Sequence, residues 1–312
     1  MKKVVAKVAA CSLLALMVVG CGGPTKFESA EFSDASAIQK NADRYWKRDG
    51  FWGGMKGVNK VAISQFNVEF VTGNTSKSGA DALSVIGVME IAGMGKRKRE
   101  FSEAFKQELP TVLYDGFVTA LKAEGYDVVP MEALTSNPAF AQLKAAAAGQ
   151  TSSQNDRNFL GGVDRNNSST IQTYPVRGLP LPDNGFLNFG AGNNMLTMWK
   201  IAGDSGAQGS LQVRIRVGLD DDGHAIIGGG STIMASYNPE RQRTLQGEGW
   251  AFKDRGTLIG GPQMRDDVPV IDAKEFKAFQ GDVYTVNGPA FQASILKMYP
   301  AYARMAMVKL KG

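Results

Sequence analysis

Ser210 to Leu219 alternate without a break. Leu211, Val213, Ile215, Val217 and Leu219 fall on one side of an extended chain and Gln212, Arg214 and Arg216 on the other, the period of two that a β-strand turns into two faces. Asp220-Asp221-Asp222-Gly223 supplies turn residues, and His224 to Ser236 returns as a second strand. Such a hairpin commits the chain to a sheet with an apolar face, and that face must be covered by another layer. Gly228-Gly229-Gly230 interrupts the returning strand. Glycine there marks either a bend in the hairpin or a place where a partner strand adds.

The covering layer is visible as helical stripes. Leu109, Val112, Leu113, Phe117, Ala120 and Leu121 recur at three- and four-residue steps, which predicts a helix over Leu109 to Glu124, opened or kinked by Pro110 and stopped by Gly125. Phe291, Ile295, Met298, Tyr302 and Met305 form a second stripe, capped by Asn287 and interrupted by Pro300. Val61 to Phe70 reads as a strand with a slip near Gln65, Tyr126 to Pro130 as a short buried strand, and Trp250 to Ile259 as a third strand. Ala35 to Arg48, the Ala-rich Met131 to Ala148, and Met195 to Gly203 are further helix candidates. Gly149 to Asn194 is dominated by Ser, Thr, Asn, Gln and Gly and reads as a long polar insertion. The expected class is therefore α/β, a layered sheet with flanking helices.

The N-terminus carries an address. Lys2, Lys3 and Lys7 precede an apolar run from Val8 to Val19, then Gly20-Cys21-Gly22-Gly23. A basic start, a short apolar stretch and a small residue before the cut define a secretory leader, and the run is shorter than the ~20 residues a membrane helix needs. Val18-Val19-Gly20-Cys21 resembles the lipobox of bacterial lipoproteins, with Val18 where Leu is usual. The resemblance implies a leader over 1–20, acylation of Cys21, and a lipidated tether over 21–50 leading to one α/β domain over 51–312, with the insertion at 149–194. Gly22 after the cysteine, in place of Asp, implies the outer membrane and its periplasmic face. Loss of the three leader lysines takes 35 basic residues to 32 against 30 acidic, so the mature chain is close to neutral. That balance gives no reason to expect nucleic acid as a partner. Beyond Cys21 there is no cysteine for a disulfide, a thiolate metal site or a nucleophile.

The order of elements carries a second resemblance. Strand Val61 to Phe70, helix Leu109 to Glu124, Gly125-Tyr126-Asp127-Val128-Val129-Pro130, and Ala202 to Gly209 leading into Ser210 to Leu219 are similar to envelope proteins built on the TolB amino-terminal, anticodon-binding-like fold. The curli secretion channel lipoproteins share that plan and the lipobox. Their two membrane-spanning hairpins would fall here on Phe66 to Glu90 and Pro175 to Trp199, which do not alternate as lipid-facing strands do.

Chemical motifs are sparse. His224 is the single histidine, and Ser210, Ser231 and Ser236 nearby lack a nucleophile-elbow pattern. Counting from Asp220, the twelfth position of a calcium loop is Ser231 where Glu is needed. Gly93-Met94-Gly95-Lys96 has Glu90 where a phosphate-binding loop needs Gly, and Arg97 where it needs Ser or Thr. No cofactor, metal ligand set or catalytic residue is assigned. Carboxylates are plentiful, so a cell-wall glycan hydrolase or binder stays an alternative, although no spacing selects a pair. The basic run Lys96, Arg97, Lys98 and Arg99 reads as a solvated helix start or loop, or as a docking patch for an acidic group. Together with Gly228, Gly229 and Gly230 it forms the candidate interaction set, and Cys21 the lipidation site. The expectation is a non-catalytic envelope assembly or interaction protein that binds the membrane through its lipid and an envelope protein, or further copies of itself, through its folded body. The alternative along the second resemblance is a subunit of an oligomeric secretion channel.

Overall fold

The computed structural model describes residues 25–26, 34–50, 55, 57–76, 98–143, 148–157, 163–181, 193–220, 222–237, 254–260, 263–272, 274–275 and 283–311. They form a curled mixed sheet with helices packed on it, an α/β architecture. In chain order the elements are β1 (Thr25–Lys26), α1 (Ala35–Tyr45), β2 (Trp46–Gly50), β3 (Lys60–Ser76), β4 (Lys98–Glu100), α2 (Glu103–Ala123), β5 (Asp127–Val128) and α3 (Met131–Thr135). Then follow β6 (Gln150–Arg157), β7 (Val163–Pro175), α4 (Asn193–Asp204), β8 (Gly209–Leu219), β9 (His224–Ile227), β10 (Ser231–Tyr237), β11 (Asp254–Gly260), β12 (Met264–Pro269), β13 (Val283–Thr285) and α5 (Gly288–Lys311).

The alternating strand β8 is the axis. One of its edges pairs in parallel with β3, from Val61 opposite Gly209 to Phe70 opposite Val217. The ladder slips between Ile63 and Gln65, so Val61 and Ile63 before the bulge and Phe66, Val68 and Phe70 after it all stay on the apolar side. The other edge of β8 is shared: β9 covers Val217 to Leu219 and β10 covers Gly209 to Arg214. Past this split the sheet forks, with β12 and β1 beyond β9, and β11 and β2 beyond β10.

Helices α2 and α5 cover the apolar face. Ser102 caps α2, its Oγ accepting from the Phe105 amide, and Gly125 at φ +89° ends it. The helix thus begins before the predicted start, and Pro110 lies inside it. Phe105, Leu109, Leu113, Phe117 and Leu121 meet the sheet, where Phe66 stacks edge-on to Phe117 at 5.8 Å. Each fully buried side chain of this size contributes about 1.5–3 kcal/mol. The long helix α5 lies beside α2, and Gly116 makes the approach possible, because a Cβ there would stand 2.7 Å from the ring of Tyr299. The Tyr299 hydroxyl donates to the Leu113 carbonyl at 2.7 Å. On the opposite face α4 sets Met198, Ile201 and Ala202 against Ala62, Val129, Leu134 and Ala207.

Several sequence expectations are corrected. The tether read over 21–50 includes folded structure: Ile38, Ala42 and Trp46 are buried, Lys309 pairs with Asp43 at 2.6 Å, and β2 runs antiparallel to β11. Thr25 and Lys26 also belong to the sheet, parallel to Met264 and Arg265. The described residues of the insertion read over 149–194 are largely strand. Here β7 pairs with β3 from Asn67 opposite Pro175 to Ser76 opposite Asn167, and β6 folds back on β7. The helix expected over 131–148 is α3 followed by a 3-10 turn at Pro138–Gln142, with Asn137 capping the turn.

Candidate functional site

The side of the sheet opposite α2 and α5 is polar yet buried. Asn67 and Glu69 from β3 lie opposite Arg214 and Arg216 from β8, and Thr232 of β10 lies opposite Arg214. Glu69 has a side-chain exposure of 3%. Its Oε1 stands 3.1 Å from Arg214 Nη1, while Arg216 donates through Nε at 2.9 Å and Nη2 at 2.8 Å to Oε2. Arg214 Nε also donates to Thr232 Oγ1 at 3.1 Å. Two guanidinium groups share one carboxylate. In such surroundings a charge pair at contact is worth about 4 kcal/mol at an effective dielectric of 20, against a desolvation cost of similar size.

The glycine triplet explains how Arg216 reaches this position. Gly228, Gly229 and Gly230 have φ of +98°, +61° and +99°, a left-handed run that other residues resist. A Cβ on Gly230 would lie 2.7 Å from Arg216 Nη1. The Gly228 amide donates to the Arg216 carbonyl at 2.9 Å, and Ser231 Oγ accepts from the Arg216 amide at 3.0 Å. The triplet is therefore the bend in the hairpin. The edges of β9 and β10 away from β8 are taken by β12 and β11.

Further along the polar face, Asn67, Gln212 and Ser236 are at most 2% exposed. Among the described residues Asn67 Oδ1, Gln212 Nε2 and Ser236 Oγ meet no hydrogen-bond partner.

Three other polar clusters brace the fold. Lys106 Nζ lies 3.1 Å from Glu103 Oε2 and 2.9 Å from Gln172 Oε1, 5.0 Å from the Tyr174 ring centroid. The Tyr174 hydroxyl donates to Glu103 at 2.8 Å. Burial acts to lower the Lys106 pKa, but the bonds to Tyr174 and Glu103 outweigh it and hold the pKa above the ordinary value. This cluster pins β7 to α2. Asp220 accepts from the amides of Asp222 and His224 at 3.0 and 2.9 Å and faces His224 Nδ1 at 3.2 Å and Arg265 Nη1 at 3.3 Å. His224 is thus half-buried in its own turn. Ser210 bonds to Ser64 and Ser231 to Arg216, so neither hydroxyl is directed to His224. Asp266 accepts from Ser294 Oγ at 2.5 Å and Lys297 Nζ at 2.6 Å, fastening β12 to α5.

Cys21, Lys96 and Arg97 lie outside the described residues. Lys98 and Arg99 sit in β4, where Lys98 is exposed and Arg99 is buried, so the described half of the basic run read as a helix start or loop is strand and divides between two faces. The structure brings neither Lys98 nor the glycine triplet to the ionic cluster as ligands; only Gly230 touches it, as the floor under Arg216. Glu69, the center of the cluster, carried one sequence signal, a carboxylate between Val68 and Phe70 in an apolar strand. Among the described residues no three of His, Cys, Asp and Glu gather as a metal ion would require, and no helix is long and apolar enough to cross a membrane. No protein-family model, curated protein or solved structure matches the chain.

Proposed function

We propose that this protein is a lipid-anchored envelope lipoprotein, held at the periplasmic face of the outer membrane through Cys21. It acts by contact, joining another envelope protein or further copies of itself, and neither catalysis nor a cofactor nor nucleic acid enters its work. The fold, on this reading, is of the anticodon-binding-like type, supported by the parallel pair β3 and β8 with β5 alongside and α2 packed across them. The observation that carries the reading is the ribbon β6–β7. Its inner strand is paired to β3, while among the described strands β6 has no partner on its outer edge. A free strand edge accepts an added strand through main-chain hydrogen bonds. Its Gln, Thr, Ser and Asn residues suit a water-exposed protein contact better than a lipid-facing one.

The second reading, a subunit of an oligomeric secretion channel, is favored by the length of β3, 17 residues, and β7, 13 residues, against a usual five or six. Native mass spectrometry of the detergent-solubilised lipoprotein separates the two: a single large ring supports the channel, and a monomer or small oligomer the adaptor. Metabolic labelling with a palmitate analogue tests the anchor. An unmarked mature chain, with Cys21→Ser fractionating like the parent, would falsify the reading.

A further inference from the structure

If Cys21 carries lipid, the point where the body meets the bilayer is set by β1. Thr25 is hydrogen-bonded into the sheet opposite Met264, and Lys26 opposite Arg265. Four peptide units separate Cys21 from Thr25. An extended chain advances at most ~3.6 Å per residue, so the two Cα atoms lie no more than about 14 Å apart. A tether that short does not let the body swing freely. We infer that the β1–β12 edge of the sheet is the surface that rests on the phospholipid headgroups, an inference that depends on the lipid-anchor reading above.

Two further features of this edge suit a bilayer. Among the described residues three large apolar side chains are exposed, and the most exposed of them, Val268 at 64%, lies here on β12. The opposite margin of the sheet is polar. There Asp127 on β5 pairs with Lys60 at 3.7 Å, and its side chain is 70% exposed. From β1 the path to β5 crosses β12, β9, β8 and β3, five strand spacings of about 4.8 Å. The anchor therefore brings one margin down and holds the other away.

The test uses the full lipidated chain in vesicles of phosphatidylethanolamine and phosphatidylglycerol, with a nitroxide on a fraction of the headgroups. Once Cys21 is acylated the mature chain has no other thiol, so Val268→Cys and Asp127→Cys each take a single fluorophore. Both positions are exposed, so neither substitution disturbs the core. The expected result is headgroup quenching at position 268 several-fold stronger than at 127. Equal quenching, or stronger quenching at 127, in a protein whose N-terminal peptide has the acylated mass overturns the inference and leaves the anchor standing. An unacylated N-terminal peptide with no vesicle binding removes the anchor reading, and this inference with it.

Discussion

Glu69→Gln isolates the cost of the buried ionic cluster. The amide keeps the shape of the side chain but removes the charge and turns one acceptor oxygen into an N–H donor facing a guanidinium. Three charge-assisted contacts, at 3.1, 2.9 and 2.8 Å, lose their anion, and two arginines stay in a region where the acid was only 3% exposed. Breaking a buried pair on one side costs about 3–5 kcal/mol. With a urea dependence of about 3 kcal/mol per molar for a chain of this size, the unfolding midpoint should fall by roughly 1–1.7 M. Tryptophan fluorescence reads the transition, since Trp46 and Trp199 are buried, and far-UV circular dichroism checks that the two probes coincide. The companion variant Glu69→Met/Arg214→Met/Arg216→Met removes all three charges and should recover most of the loss, because an apolar replacement of a whole buried ion cluster is often neutral. A Glu69→Gln midpoint within about 0.3 M of the parent would sink the argument. So would a triple variant less stable than the single one.

Gly230→Ala meets both a φ of +99° and the Arg216 guanidinium 2.7 Å away, so a loss of about 1–3 kcal/mol is expected, seen as a drop of several degrees in Tm. Adding Arg216→Ala should not rescue it fully, because the backbone strain remains; complete rescue would show that strain is unimportant. Tyr174→Phe and Lys106→Met each unfasten β7 from α2, at about 1 and 1–3 kcal/mol, and should speed limited proteolysis within 148–175; an unchanged cleavage pattern refutes the bracing role. Burial raises the Asp266 pKa, but the bonds from Lys297 and Ser294 outweigh it and hold it below the ordinary value near 4. The stabilisation this gives is fully present above that ordinary value and is lost as pH falls through the depressed one. The stability gap between the parent and Asp266→Asn should therefore shrink on acidification from pH 6 to pH 3, and a constant gap contradicts the assignment.

Local pattern predicted what local chemistry determines. The alternation of β8, the slip at Gln65, the stripe of α2 and the stop at Gly125 all appeared as expected, because each depends on neighbours in the chain. The start of α2 was missed. Ser102 and Glu103 open it before the apolar stripe becomes obvious, and Pro110, which lacks an amide hydrogen to give Lys106, fitted an opener as well as a kink. Strands β6 and β7 were illegible for another reason. Their Ser, Thr, Asn and Gln residues have no apolar period, and β7 is organised by the backbone of β3, about a hundred residues earlier. The ionic cluster shares that origin. Arg214 and Arg216 were placed together on one side of β8, but only the parallel pairing with β3 brings Glu69 between them.

The N-terminal segments find their partners far away in sequence. Thr25 and Lys26 lie against Met264 and Arg265, β2 against β11, and α1 along α5. A polypeptide made from its N-terminus cannot complete these contacts until residues 254–311 have followed. For most of its synthesis the segment from α1 to β2 stays unclaimed by the rest of the molecule, and the tail closes the structure.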